Sequence, residues 1–296
     1  MIGVKSKIRE LDPQLLLSLE RHAVSIAKES GEILIQHFQS DLEVTYKNHG
    51  GKNPVSNADL AAETLIVTRI KDTFKDHGIL SEETPVPDNL DQDFIWVVDP
   101  LDGTTNFVNG LPIFASSIGV IYQGVPVVGA IFIPSPKNPK GTVVHAKIGG
   151  GAFANGNPIS VSKTPFPRPN SVNVLPRSFM RQYDLGKDLE GKLGELRKIG
   201  SMAYELASVA SGFMDYAGFY RPHIWDIAAG AIIVSEAGGM IMDKSSKSWE
   251  PFVSFNRTNY HPKFNSELVS WRHNILAGNT AISKLFANNL HDKIYT

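Results

Sequence analysis

Cysteine is absent from all 296 residues, which excludes disulfides and thiolate metal sites. Any metal must therefore be held by Asp, Glu, His or carbonyl oxygens. The missing thiols suit a reducing compartment, and a cytoplasmic location is the expectation. An excess of either charge is lacking too: 29 Lys plus Arg face 30 Asp plus Glu, a net charge of -1. Nothing global therefore favours nucleic acid or an anionic membrane as a partner. No apolar run reaches transmembrane length, and the opening MIGVKSKIRELDP has no apolar stretch of the secretory kind. Dinucleotide and zinc-protease motifs, internal repeats and heptads are also missing. The triplet Gly149-Gly150-Gly151 lacks the Lys and Ser/Thr of a phosphate loop and reads as a turn.

What remains is enough for a substantial core. Apolar residues make up 42% and charged residues 20%, as in an ordinary globular protein of one large or two medium domains. Leu15 to Phe38 reads as a long amphipathic helix on Leu16, Leu19, Val24, Ile26, Ala27, Ile33, Leu34 and Phe38. Val44 to Lys47 is strand-like, and Asn48 to Pro54 is rich in turn residues, with Lys52 a candidate for meeting an anion. Ser56-Asn57 caps a helix running toward Phe74, with Asp59 and Glu63 on one face. Phe114 to Val120 and Val125 to Ile133 make adjacent strands around Gln123-Gly124, and Val143 to Ala146 a further short strand. A strand edge at Ile159 to Ser162, followed by the proline-rich TPFPRP, marks a boundary. The expectation is an N-terminal α+β domain over 1–160, carrying most metal ligands, and a C-terminal α/β domain over 161–296. Beyond it lie a helix from Met202 to Ser211, a strand-like Phe213 to Phe219, and an apolar helix from Trp225 whose small residues suit close packing on a sheet. Met240 to Met242 and Ile275 to Gly278 read as strands, before a last helix from Thr280.

The chemistry gathers around FIWVVDPLDGTTNFVNGLPI, residues 94–113. Ile95 to Val98 suits a buried strand by composition, although a run this short is compatible with buried helix as well. That strand is expected to end at Asp99, with Asp102 three residues on and Gly103-Thr104-Thr105 following. Two acids so close after an apolar run are unfavourable together without a cation between them, and a hard divalent ion takes oxygen ligands. Gly103 permits a tight path, and the amides after it face an anion at a helix start. Glu82-Glu83 also follow an apolar pair, and Asp226 opens an apolar helix, where taken alone it is a cap. Glu82, Asp99, Asp102 and Asp226 converging would call for two or more Mg²⁺ ions and suit phosphoryl transfer to water. Thr104 is placed to orient that water, with Asp59 as the acceptor for its hydroxyl.

DPLDGTTNF at 99–107, SEET at 81–84 and WDIAAG at 225–230 resemble the three signatures of the inositol monophosphatase family. SNADLAAE at 56–63 and IGSMAYELASVASGFMD at 199–215 extend the likeness from about Leu15 to Thr280. The resemblance implies an α+β fold layered αβαβα, a homodimer, and Mg²⁺-dependent, lithium-sensitive hydrolysis of a small phosphorylated metabolite by direct in-line attack of water. It implies two to three Mg²⁺ held by Glu82, Asp99, the Leu101 carbonyl, Asp102 and Asp226. Glu82, Thr104 and Asp59 take catalytic roles, and Gly103, Thr104, Met202, Phe219 and Arg221 bind substrate; Glu83 is family-like without an assigned part. Phe219 stands where inositol-selective members carry a glutamate, which loosens the tie to inositol and leaves sugar bisphosphates, histidinol phosphate and 3′-phosphoadenosine 5′-phosphate open. Arg221 suits a second anionic group. Ser81 replaces a more familiar glycine. A catalytically silent structural or regulatory homologue is the reading from another class.

Overall fold

A computed structural model describes residues 8, 10–38, 40, 44–46, 54–84, 87–245, 247–255 and 264–293. Lys52 and the turn-rich segment before Pro54 lie outside the described residues. Helix α1 spans Pro13–Phe38. A short hairpin of β1 (Val44–Tyr46) and β2 (Pro54–Ser56) leads into α2 (Asn57–Thr73). Then come β3 (Gly78–Ser81), β4 (Phe94–Asp102), the short α3 (Thr104–Val108), β5 (Ala115–Tyr122), β6 (Val125–Ser135), β7 (Asn138–Lys147), β8 (Ala152–Ala154) and β9 (Asn157–Pro158). These strands form a seven-stranded sheet in the order β3-β4-β5-β6-β7-β8-β9, antiparallel except for the β3/β4 pair.

The second half adds β10 (Val172–Asn173), α4 (Arg177–Met180), β11 (Tyr183–Leu185), β12 (Glu195–Leu196), α5 (Met202–Ala210), β13 (Tyr216–Phe219) and α6 (Ile224–Glu236). It closes with β14 (Gly239–Lys244), β15 (Glu250–Pro251), α7 (Phe264–Ser270), β16 (Asn274–Asn279), α8 (Thr280–Asn289) and β17 (Leu290–Asp292). A four-stranded sheet orders β13-β16-β14-β15.

Both faces of the large sheet are covered, so its strands are apolar on both sides. Trp96, Val98, Ile118 and Phe132 pack with α1 and α2, whereas Ile95, Val97, Ile121 and Ile131 share a core with α5 and α6. That second core continues into Ala217, Phe219, Ile275 and Ala277 of the smaller sheet, whose far side packs on Ile282 and Phe286 of α8. The result is the expected five-layer αβαβα stack. Residues on both sides of position 160 share one core.

Close packing of α6 has a residue-level cause. A Cβ on Gly119 would lie 2.9 Å from Ala228 Cβ, and one on Gly129 only 2.4 Å from the Ala229 carbonyl oxygen. Glycine on β5 and β6, facing alanine on α6, lets backbone approach backbone. The small residues read from the sequence serve this purpose. Several expectations are corrected in detail. The α1 face buries Ala23, Ser30 and Gly31, while Val24 and Ile33 are half-buried. Strand β7 is ten residues long because its hairpin with β6 extends the ladder well before Val143. Ile159 to Ser162 lies outside the strands, since pairing with β8 ends at Pro158. The strand expected from Phe213 starts at Tyr216, because Gly212 at φ 72 and the turn after it occupy the interval.

Candidate active site

Strand β4 does not stop at Asp99; it runs to Asp102 with a break in register. Asp99 pairs with Ser117 and Asp102 with Ala115, so three steps on β4 match two on β5. Residues three apart on a regular strand point to opposite faces. The extra residue is a bulge, and it turns both carboxylates to the same side. Gly103 then closes the turn at φ 92, where an added Cβ would stand 2.9 Å from Ser201 Cβ. Only glycine fits there.

Asp226 arrives from the N-terminus of α6, where its Oδ2 accepts the His223 amide at 2.6 Å. One ligand atom from each of Asp99, Asp102 and Asp226 lies within 4.8 Å of the others. Glu82 stands outside that grouping but hydrogen-bonds the Asp99 carboxyl. Asp99 is 1% exposed, and its Oδ1 has no hydrogen-bond partner among the described residues. Burial, then the charges of Glu82, Asp102 and Asp226, push its pKa well above the usual carboxylate range. Burial and the charges of Asp102 and Glu82 do the same to Asp226. Asp102 rises only to about 6, because burial is opposed by the amides of Ala203 and Met202 and the Ser201 hydroxyl. Its Oδ2 accepts Ser201 Oγ at 2.8 Å and the Ala203 amide at 2.6 Å. The N-terminus of α5 thus favours the anionic form.

The donor set fits a hard divalent cation. It is all oxygen, anionic and desolvated, with a buried lone-pair atom on Asp99 that no donor among the described residues satisfies. A bound cation would reverse the pKa pattern, since its charge outweighs the repulsion among the acids.

Asp59 lies beside this cluster on α2. Its Oδ2 accepts the Ser56 amide at 2.8 Å and hydroxyl at 2.6 Å, closing a capping box. Burial is the main reason its pKa rises to about 6, and the Glu83 charge adds to it. The other oxygen, Oδ1, is 3.4 Å from Thr104 Oγ1, which also reaches the Leu101 carbonyl at 2.9 Å. The structure thus brings Asp59, Glu82, Asp99, Leu101, Asp102, Gly103, Thr104 and Asp226 to one place.

The remaining candidates differ. Met202 begins α5, where its amide faces Asp102 and its side chain leans on the core. Phe219 is 2% exposed and lies in the core opposite Ile275. An aromatic ring in a sheet covered on both sides is drawn inward, so Phe219 offers no surface to a ligand. Arg221 is exposed at the bend after β13, its amide held by Asn274 Oδ1 at 3.1 Å. The glycine triplet proves to be a turn whose Gly149 and Gly151 amides grip the Glu236 carboxylate, each at 2.8 Å.

Sequence reasoning gave no site role to four supporting groups. Ser201 is the N-cap of α5, and its bond to Asp102 needs the two segments to meet. Glu63 accepts the Ser81 hydroxyl at 2.5 Å and the Thr84 hydroxyl at 2.9 Å, bracing the chain on either side of Glu82. Glu205, pushed up to about 8 chiefly by burial, holds the Gly200 amide. Arg272, far away in sequence, has no local signal at all.

Comparison with known proteins agrees with this geometry. The sequence model of the inositol monophosphatase family matches residues 16–292. The chain belongs to the inositol monophosphatase family. It is 34% identical over 252 residues to the chloroplastic phosphatase IMPL1 of Arabidopsis thaliana, covering 80% of this chain and 66% of that protein. It is 33% identical over 284 residues to the Nus factor SuhB of Escherichia coli K12, covering 92% and 95% of the two chains. The crystal structure of the extragenic suppressor protein suhB from Bartonella henselae superposes with a TM-score of 0.70 at 30% identity, over 90% of this chain and 96% of that one. The layered fold and the tri-aspartate centre are those of a metal-dependent phosphatase family acting on small phosphate monoesters. No helix among the described residues is long and apolar enough to cross a membrane.

Proposed function

We propose that this family member hydrolyses a small phosphate monoester, inositol monophosphate in the first instance, with Mg²⁺ as the resident cation. The observation that carries the reading is the trio Asp99, Asp102 and Asp226, buried together with no cationic side chain in salt-bridge contact among the described residues. Glu82, Asp99, the Leu101 carbonyl, Asp102 and Asp226 would hold two to three Mg²⁺ ions. When bound, such ions neutralise phosphate oxygens, acidify water and stabilise the leaving oxygen.

The chain's own residues supply orientation. Thr104 has one hydroxyl proton and two acceptors, the Leu101 carbonyl at 2.9 Å and Asp59 Oδ1 at 3.4 Å. Whichever accepts that proton, the Thr104 oxygen keeps lone pairs turned outward to accept a proton from water. Near neutral pH Asp59, with a pKa of about 6, is anionic and suited to the accepting role. The Gly103 and Thr104 amides open α3, where amides have no partners within the helix, and would grip the phosphate. Ser201 and the α5 amides fix the rotamer of Asp102, and Glu63 steadies the segment bearing Glu82. Water attacks in line without a phosphoenzyme. A homodimer, lithium inhibition and a cytoplasmic location belong to the same proposal.

The test is phosphate release by the purified protein from inositol 1-phosphate, β-glycerophosphate, histidinol phosphate and 3′-phosphoadenosine 5′-phosphate, with Mg²⁺ and with EDTA. Turnover of at least one ester, abolished by EDTA and restored by Mg²⁺, is expected. A second reading draws on the printed name of the Escherichia coli relative, a Nus factor: a structural or regulatory homologue. It predicts no turnover of any ester, and that result would sink the phosphatase reading.

A further inference from the structure

Among the described residues, two guanidinium groups near Asp226 have no acidic partner in salt-bridge contact. Among the described residues neither Arg221 nor Arg272 makes a salt bridge. Arg272 is nevertheless firmly held. Its Nη1 donates to the Val269 and Trp271 carbonyls at 3.3 and 2.5 Å, its Nη2 donates to His223 Nδ1, and its guanidinium lies 5.8 Å from the Trp225 ring centroid. The His223 and Trp225 rings stack at 4.4 Å. Both residues belong to the junction that delivers Asp226, whose carboxylate takes the His223 amide. Arg272 and Asp226 sense each other electrostatically, and Arg221 lies near enough to oppose the charge of Arg272.

A guanidinium carries five N–H donors in a planar fork. Three are engaged here, leaving the Nε–H and one Nη2–H, a pair suited to a carboxylate or phosphate. Arg221, exposed at the bend after β13, adds a second cation near Arg272. Its φ of 49 is strained for a bulky side chain, and the Asn274 side chain holds the backbone in that bend. The three aspartates are buried, whereas Arg272 is half-buried and Arg221 exposed. A neutral polyol gains little from two unpaired guanidinium groups, whereas an ester with another negative group gains much.

We propose that Arg272, with Arg221 beside it, sets the specificity of this pocket, and that the preferred substrate is a phosphate monoester carrying a second anionic group. The inference rests on the phosphatase reading above and replaces inositol monophosphate, the substrate named there first, with an ester that carries a second anion. The experiment measures kcat/KM of the Mg²⁺-loaded protein for fructose 1,6-bisphosphate, 3-phosphoglycerate and inositol 1-phosphate, in wild type, Arg272→Gln, Arg272→Lys and Arg221→Gln. Wild type is expected to prefer one of the two-anion esters, the bisphosphate and the phosphocarboxylate distinguishing a second phosphate from a carboxylate. In Arg272→Gln that preference falls about tenfold, the size of a lost charge-assisted bond, through KM rather than kcat. Arg272→Lys recovers part of it. Preference of wild type for inositol 1-phosphate overturns the proposal. So does an equal loss on every ester through kcat, which makes Arg272 a support for Asp226 alone. If Arg272→Gln does not fold, exposed Arg221→Gln decides: a preference lowered about threefold supports the proposal and an unchanged one overturns it. Hydrolysis of none of the esters by wild type overturns the phosphatase reading too, and so is told apart from a failure of specificity alone.

Discussion

Asp215 and Asp99 are each 1% exposed, yet the molecule treats them in opposite ways. Asp215 receives Arg168 through its amide at 2.8 Å and its guanidinium at 2.9 Å. Burial works to raise its pKa, but the Arg168 hydrogen bonds win and leave it below the ordinary carboxylate value. Asp99 has burial and three neighbouring acids all acting in the same direction. The first carboxylate is complete within the chain; the second is arranged for a cation from outside. Glu20 resembles the first kind, with His145 Nδ1 at 2.9 Å and Lys147 Nζ at 3.8 Å. A buried acid alone therefore says little, and the missing counter-charge is what marks the functional site.

The largest effect should come from neutralising the open centre. Asp99→Asn is expected to lower phosphate release on the order of a thousandfold, the loss of a principal electrostatic group. The same change should raise the melting temperature of the EDTA-treated protein, because an amide relieves the repulsion among the acids. A metal-free variant melting several degrees below wild type would break the contrast. At the closed centre the sign reverses. Arg168→Ala leaves a buried carboxylate unpaired and should destabilise by roughly 2–3 kcal/mol, moderated because the arginine is half-exposed. Urea unfolding should show this loss equally with Mg²⁺ and with EDTA; a loss confined to the EDTA sample would mean that the two centres are coupled.

A smaller effect follows from pH. Asp59 and Asp102 are raised to about 6 and Glu205 to about 8. Raised folded-state values mean that the native state binds protons more tightly than the unfolded chain. The stability these groups contribute is therefore fullest near pH 4 and lost as pH climbs to 6 for the aspartates and to 8 for the glutamate. Thermal melts of metal-free protein should accordingly fall between pH 5 and 8. Mg²⁺ at tenfold its Kd adds about 1.4 kcal/mol, and its gain should be greater at pH 8, where the ligands no longer hold protons. Equal gains at both pH values would remove Asp102 from the set of groups coupled to the cation.

Much of this was legible in the residues. Ser56 with Asp59 is a local capping signal, and the structure keeps it while using the free oxygen of Asp59 toward Thr104. The alanines and glycine of α6 forecast close packing, which Gly119 and Gly129 complete from the sheet. Other features had no local trace. The β4 bulge depends on pairing with β5, so the sequence reads as a strand ending at Asp99. Phe219 stands seven residues before Asp226, where the family resemblance expects a substrate contact, yet the shared core takes it inward.

The spacing of Asp99, Asp102, Gly103 and Thr104, the acids after β3 and the absence of cysteine were enough to name oxygen-ligand chemistry, because ligand type and short-range geometry are written locally. Tertiary structure alone decided that Asp226 joins Asp99 and Asp102, that Ser201 and the α5 amides hold Asp102, and that Arg272, beyond the end of α7, meets His223 beside Asp226. Those relations join residues 46 to 127 positions apart in sequence, from the Asp226–Arg272 pair to the Asp99–Asp226 pair. They arise only when sheets and helices bury their apolar faces together.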